Sequence, residues 1–498
     1  MKPIVKYTFI ALLALVSFSC EKLSTINIDP NNAQSTHPKL LLKTISYSTF
    51  NGQGSGSMFA SRVFVNTDGA SNEQYYTWDR GSFDGYSVLR NVTKMIEEAD
   101  AQGTPEYAYL AKFFRAYQFY ELTRAFGDIP YSDALKGETD GIFTPAYDTQ
   151  ETIIPALLNE LKEANEGLKT ISTIDGDIIF NGSAVKWRKL INSLRLRILI
   201  DMSLKQGDAT LNIASQFKDI YANEPLMESI DDNGQLVYLD QSGNRYFEFL
   251  GKYGSVGMSS TFVDMLKERK DPRLFVFCQQ NPNAVTAGLA VNDFAAYGGA
   301  DPTLPYGQIS EERNKGTVSM VNPRYFSDPV NEPHMLMGYP ELQFILAEAT
   351  VRGWIENGDL TKAKAFYENG IKASFAFYQK YAENYSSYLE SSAVIEYLAQ
   401  PLVDFDSATT TEKRIEYIIT QKYIQFYFQT GWEQFYNNRR TGYPAFSVGG
   451  AVGNNGKVPV RWMYPLDEYN QNATNVEDAV KRQFGGDENI NGKMWLLK

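Results

Sequence analysis

The stretch TPEYAYLAKFFRAYQFYELTRAFGDIPY (104–131) decides how the chain is read. Pro105 suits the first position of a helix, where a missing N–H costs nothing, and Thr104 before it is placed to cap. Leu110, Phe113, Phe114, Tyr117 and Tyr120 then recur at helical spacing. Gly127 ends the pattern and Pro130 prevents a restart. The spacing predicts one long helix over 105–126.

Similar patterns lie on either side. Helices are expected near 87–101 and over 148–169, 183–206, 339–356, 360–383 and 411–438. The one at 183–206 carries Trp187, Leu190, Ile191, Leu194 and Ile198 on one face. Alternating strand patterns are few. The expected fold class is mainly α, built from antiparallel helical pairs, with hairpins at 105–169 and 339–383. Ala363, Tyr367 and Gly370 match the small–aromatic–small spacing of a tetratricopeptide second helix, although no regular 34-residue period runs through the chain. The stretch 225–336 differs: it holds eight of the 20 prolines and little periodicity. Its many aromatics argue for ordered loops rather than disorder. A second loop-rich patch is 442–465.

The 498 residues are 43% hydrophobic and 21% charged, a globular composition. Lys+Arg is 47 against Asp+Glu 59, a net charge of −12, which argues against a nucleic-acid partner. Only His37 and His334 are available to a histidine-based site, and the only cysteines are Cys20 and Cys278.

The N-terminus reads as an export signal. Lys2 and Lys6 precede TFIALLALVSFS (8–19), twelve mostly apolar residues. That is too short to span a bilayer and fits the apolar core of a signal peptide. Cys20 directly after Ser19 looks like a lipoprotein processing site. Cys20 would then carry a thioether-linked lipid and an N-acyl chain such as palmitate, holding the protein on a membrane. The alternative is an ordinary signal peptide with an incidental cysteine. The expected organisation is a signal peptide over 1–19, a lipidated tether and leader over 20–37, and one domain over 38–498 with a loop-rich insertion at about 225–336.

No catalytic motif is assembled in the sequence. GGAVGNNGKV (449–458) departs from a phosphate loop at Ala451 and Val458 and reads as a surface loop. NGQGSGSM (51–58) follows no convincing strand. Asp175, Asp177 and Asn181 offer oxygens for a cation, but a capped turn before the helix at 183 fits better. Glu341 and Glu348 lie seven apart on one helix, where a buried structural role is the expectation. No cofactor or metal is expected.

Aromatic residues reach 14%, with 32 Tyr, 30 Phe and 6 Trp. Those at helical spacing are core by default. Those in loops are candidates for stacking on the apolar faces of sugar rings, with hydroxyl and amide groups pairing with sugar hydroxyls. YYTWDRGSFDGY (75–86) puts five aromatics into a polar segment. Trp78 within it is the first candidate for a ligand contact, with ordinary core packing as the equal alternative. Tyr75, Tyr76, Tyr246, Tyr253 and Tyr306 follow.

Taken together, the segments resemble one family, the SusD/RagB-type nutrient-binding outer-membrane lipoproteins, in the SusD-like branch with an R-R-T-G-Y-P segment. The resemblance runs in order through DPNNAQ (29–34), YLAKFFRAYQFYELTRAFGDIPY (109–131), WRKLINSLRLRI (187–198), KDPRL (270–274) and ELQFILAEATVRGWI (341–355). It continues in IITQKYIQFYFQTGWEQFYNNRRTGYP (418–444) and VPVRWMYPLDEYNQNATNV (458–476). It implies a scaffold of tetratricopeptide-like helical pairs carrying a loop-rich ligand-binding part. It also implies a surface-exposed, lipid-anchored place on the outer membrane and a SusC-like TonB-dependent transporter as partner. The implied ligand is an oligosaccharide or a peptide, bound without catalysis. A surface glycoside hydrolase and a helical-repeat adaptor for proteins are the competing readings.

Overall fold

In the computed structural model, residues 35–52, 55–246 and 256–498 are described. Cys20, most of the leader and Tyr253 lie outside them. The principal helices are α1 (Pro38–Phe50), α2 (Gly85–Gln102), α3 (Pro105–Phe126), α4 (Gln150–Gly167), α5 (Ala184–Asp201) and α6 (Ile213–Asn223). After the loop-rich centre come α7 (Ser260–Glu268), α8 (Tyr339–Val351), α9 (Leu360–Tyr381), α10 (Thr411–Gln425), α11 (Glu433–Thr441) and α12 (Ala473–Phe484).

Local chemistry sets the helix ends. The hydroxyls of Thr149, Ser183 and Thr410 accept from the N–H groups of Thr152, Lys186 and Lys413, and Asp359 caps α9. Thr104 does not cap α3; its hydroxyl donates back to the Ala99 carbonyl. The Asp175–Asn181 segment is a capped turn. The Asp177 carboxylate accepts from the N–H groups of Ile179 and Gly182, each at 2.9 Å, leaving it committed to the backbone.

Packing follows chain order. Helix α1 packs on α2, α2 on α3, α3 on α4 and α4 on α5; α5 then meets α8, which packs on α9 and α10. Helix α3 is covered on several sides, so Leu110, Phe113, Phe114 and Tyr120 are all buried, and so are Ala111, Phe119 and Leu122. The tetratricopeptide-like spacing on α9 has a physical purpose. An added Cβ at Gly370 would stand 2.5 Å from Cε1 of Phe344 on α8, so only glycine allows this approach. Ala363 and Tyr367 are buried on the same helix.

The centre of the chain holds short elements and antiparallel strand pairs: β1 (Phe64–Asn66) with β5 (Val256–Met258), and β4 (Gly234–Leu236) with β6 (His334–Met337). A further pair joins β2 (Ile129–Pro130) to β3 (Tyr147–Asp148). The mainly helical expectation therefore stands, with a loop-rich centre.

One element is corrected. The single helix expected over 411–438 is two helices, because residues 426–432 break it. Phe428, Thr430 and Gly431 all have positive φ, at 54°, 59° and 63°. Tertiary bonds to β6 outcompete helical propensity here. The Gln429 side chain accepts from the Met335 N–H at 2.6 Å and donates to Glu332 at 2.9 Å, while the Thr430 N–H donates to Met335 O.

Candidate functional site

The break at 426–432 forms part of one wall of a cleft of about 440 Å³. Its other walls come from the end of α1 (Ser48, Thr49, Asn51), the start of α2 and the C-terminal half of α3. His334, Leu336, Tyr436 and Trp462 complete it. That volume lies in the range of small-molecule sites. Trp432 and Trp462, both half-buried, meet across 4.7 Å with their rings at 86°.

Three devices hold these rings. The first is a buried ionic centre. Glu433, which follows Trp432, pairs with Arg124 of α3 at 2.6 Å, and Arg124 also meets Asp201 of α5 at 3.1 Å. Arg197 of α5 donates to Glu341 of α8 at 2.9 Å, and Arg440 of α11 donates to Glu348 of α8 at 2.8 Å. Glu341 and Glu348 are thus structural. Arg440 and Arg352 hold the Glu348 carboxyl down to about 2 against the upward pull of burial. Buried ion pairs are modest stabilisers but demand fixed geometry, and here they fix the start of α11 and with it Trp432.

The second is the docking of segment 75–86 on the C-terminal segment. The Gly81 N–H donates to Met463 O, the Met463 N–H to Asp79 O, and the Trp462 N–H to Ala125 O. A Cβ at Gly81 would stand 2.5 Å from Cζ of Phe126, so glycine is required for the contact. The third is backbone strain. A β-branched Thr430 at positive φ is a costly conformation, and such outliers gather at ligand sites.

Trp78, the leading sequence candidate, belongs behind this cleft. It stacks on Trp462 at 5.4 Å and 18° and meets Tyr76, Trp432 and Phe435 edge-on. Its Nε1–H donates to Arg461 O at 3.2 Å, and only 6% of the residue is exposed. The expected free face is therefore corrected to core, because aromatic neighbours already occupy it. Tyr76 is corrected likewise: it is fully buried, lies under the Arg62 guanidinium at 4.0 Å and donates to Ala60 O. Tyr246 is buried beside Tyr238 and Tyr325, too enclosed for a surface contact. Tyr75 is buried with its hydroxyl on Leu304 O at 2.8 Å. Tyr306 is about half exposed at the start of a short helix, away from the cleft lining. The candidates do not form one site. Trp432 and Trp462 were missed, although both stand in the quoted segments; the available signal was a tryptophan beside a glycine (Gly431) and another in an extended, proline-flanked stretch.

The rest of the lining mixes apolar side chains, Val88, Leu122, Phe126 and Leu336 among them, with polar ones. Thr49 accepts from Gln118 at 3.2 Å, and Asn51 accepts from the Tyr238 hydroxyl at 3.1 Å. His334 Nδ1 lies 2.8 Å from Phe50 O, and burial holds its imidazole down to about 4. Glu121 pairs with Arg124; burial pushes its carboxyl above the usual range, opposed by Arg124 and reinforced by Glu433. Among the described residues no group of three or more His, Cys, Asp or Glu is arranged to hold a metal ion, and no helix is long and apolar enough to cross a membrane.

The family described as starch-binding and associating with the outer membrane matches residues 30–465. The chain belongs to the SusD-like family. A SusD homologue of Bacteroides fragilis is 49% identical, with a TM-score of 0.86, and the match covers 93% of this chain and 100% of that one. A Bacteroides vulgatus protein assigned to the outer membrane and to nutrient binding is 48% identical over the same shares, with a TM-score of 0.88. A chitin-binding protein is 25% identical, with a TM-score of 0.74, covering 93% and 100%. Curated proteins gave no significant match. The SusD-like fold accounts for the helical scaffold, and the tryptophan cleft is this chain's candidate for the family's binding function.

Proposed function

We propose that this SusD-like protein captures an oligosaccharide in the cleft of Trp432 and Trp462 and passes it to a SusC-like TonB-dependent outer-membrane transporter. It does so from the cell surface, tethered by lipid on Cys20. The observation that carries the reading is a cleft of about 440 Å³ in which two half-buried indoles stand among hydroxyl, amide and imidazole groups. Sugar rings offer apolar faces to indoles and hydroxyls to such polar neighbours. Family membership supports nutrient binding at the outer membrane, and the chitin-binding relative supports a glycan over a peptide.

The role is binding rather than catalysis. Among the described residues, the carboxylates lining the cleft are Asp84 and Glu121, and Glu121 is committed to Arg124. Titration calorimetry against a panel of oligosaccharides and peptides tests the proposal. At least one oligosaccharide is expected to bind unhydrolysed, and Trp462→Ala to weaken it about tenfold, from stacking on the order of 1 kcal/mol together with lost contact area. Undiminished binding by both Trp432→Ala and Trp462→Ala would overturn it. Co-purification of a transporter barrel with the lipidated protein tests the hand-over.

A further inference from the structure

We propose that the cleft selects by charge, taking an oligosaccharide with a protonated amine in preference to its neutral counterpart and disfavouring chains with carboxylate or sulfate groups. This rests on the reading of the cleft as a glycan site.

Among the described residues, the charged side chains of the lining are Asp84 and Glu121, both acids. Asp84 is exposed at the N-terminal end of α2. Its carboxylate makes no capping bond, and among the described residues no ion pair or hydrogen bond engages it. It answers the positive end of that helix, which would otherwise favour an anion. Glu121 stands on α3. The cation nearest to it, Arg124, is 1% exposed and is held among Glu121, Asp201 and Glu433, so it is not offered to a ligand. Arg439, which lies over the Tyr436 ring at 4.6 Å, donates to the carbonyls of Arg124 and Val460 and does not line the cleft.

The neutral groups point the same way. The Phe50 carbonyl can only accept, so His334 must donate from Nδ1, and its other ring nitrogen is left as an acceptor. The faces of Trp432 and Trp462 carry the negative side of the ring quadrupole. Indole is the best aromatic partner for an ammonium, and the attraction grows as water is excluded. A cleft lined by two indoles, two carboxylates and an imidazole suits an N–H-rich cation. Among the described residues no Lys or Arg lines the cleft, so an anion there meets like charge without a cation offered to it.

The test is calorimetry at pH 7 and low ionic strength on the mature protein. The probes are glucosamine oligomers, their N-acetylated forms, neutral gluco-oligosaccharides of several linkages and oligouronates. The amine form is expected to bind on the order of tenfold more tightly than the neutral form, and the uronate least. Added salt should reduce the amine-to-neutral ratio. Asp84→Asn should lower that ratio; because Asp84 is exposed and free of such pairing, its variant reads charge without endangering the fold, whereas Glu121→Gln would also take a partner from Arg124. Binding that ignores charge would overturn this inference and leave the cleft as a glycan site. Binding of no oligosaccharide at all would overturn both readings.

Discussion

Replacing Trp78 by alanine separates a core ring from a ligand platform. The residue is 6% exposed, contacts four aromatic rings and satisfies the Arg461 carbonyl. Truncating a buried tryptophan costs about 3–5 kcal/mol. Unfolding entropy near 60 °C is about 2.1 cal/mol/K per residue, so a cooperative unit of this length loses about 1 °C of Tm per kcal/mol. The expected shift is therefore about 3–5 °C, read by calorimetry or near-UV circular dichroism. Affinity should fall as well, by less than for Trp462→Ala, because Trp78 acts only by backing Trp462. An unchanged Tm with affinity lost outright would refute the burial argument and make Trp78 a direct contact.

Gly370→Ala should destabilise by about 1–3 kcal/mol, because the new Cβ would meet three ring atoms of buried Phe344 at 2.5–2.8 Å; this outweighs the roughly 1 kcal/mol that alanine gains in helix propensity. A stabilised variant in thermal melts would show that α8 and α9 are not so closely apposed. Acid should weaken the fold in two stages. The pKa of His334 is depressed to about 4, so its contribution is full above about 6.5 and is lost as pH falls towards 4; that of Glu348, depressed to about 2, is full above about 4.5 and is lost on the way to 2. Urea midpoints measured against pH check this, and His334→Gln should remove the upper stage. Mass spectrometry of the native N-terminus should find Cys20 lipidated and first in the mature chain; an unmodified Cys20 or cleavage elsewhere would refute the anchor.

Much of the scaffold is legible in the sequence because its signals are local. Pro105, the apolar spacing of 110–120 and Gly127 together specify α3, and Gly370 with Ala363 marks a close helical crossing. The break at 426–432 is not legible. Its cause is the side chain of Gln429 reaching Met335 and Glu332, nearly a hundred residues away in the chain. The site was read from composition, which finds aromatics but not their neighbours. Trp78 in a polar loop looks available until the segment 461–463 is laid beside it. Trp432 and Trp462 look like scaffold until the ionic centre and the 79–81 contact turn them to one cleft. Burial of an aromatic in a loop depends on what docks against that loop, and that information is spread over some 380 residues of chain.

The most direct measurement is a crystal structure of the protein with the tightest-binding oligosaccharide from the panel. The account predicts a sugar ring within about 4 Å of the Trp432 or Trp462 indole, hydrogen-bonded to the polar lining of the same cleft. A ligand bound elsewhere, with both indoles bare, would contradict it.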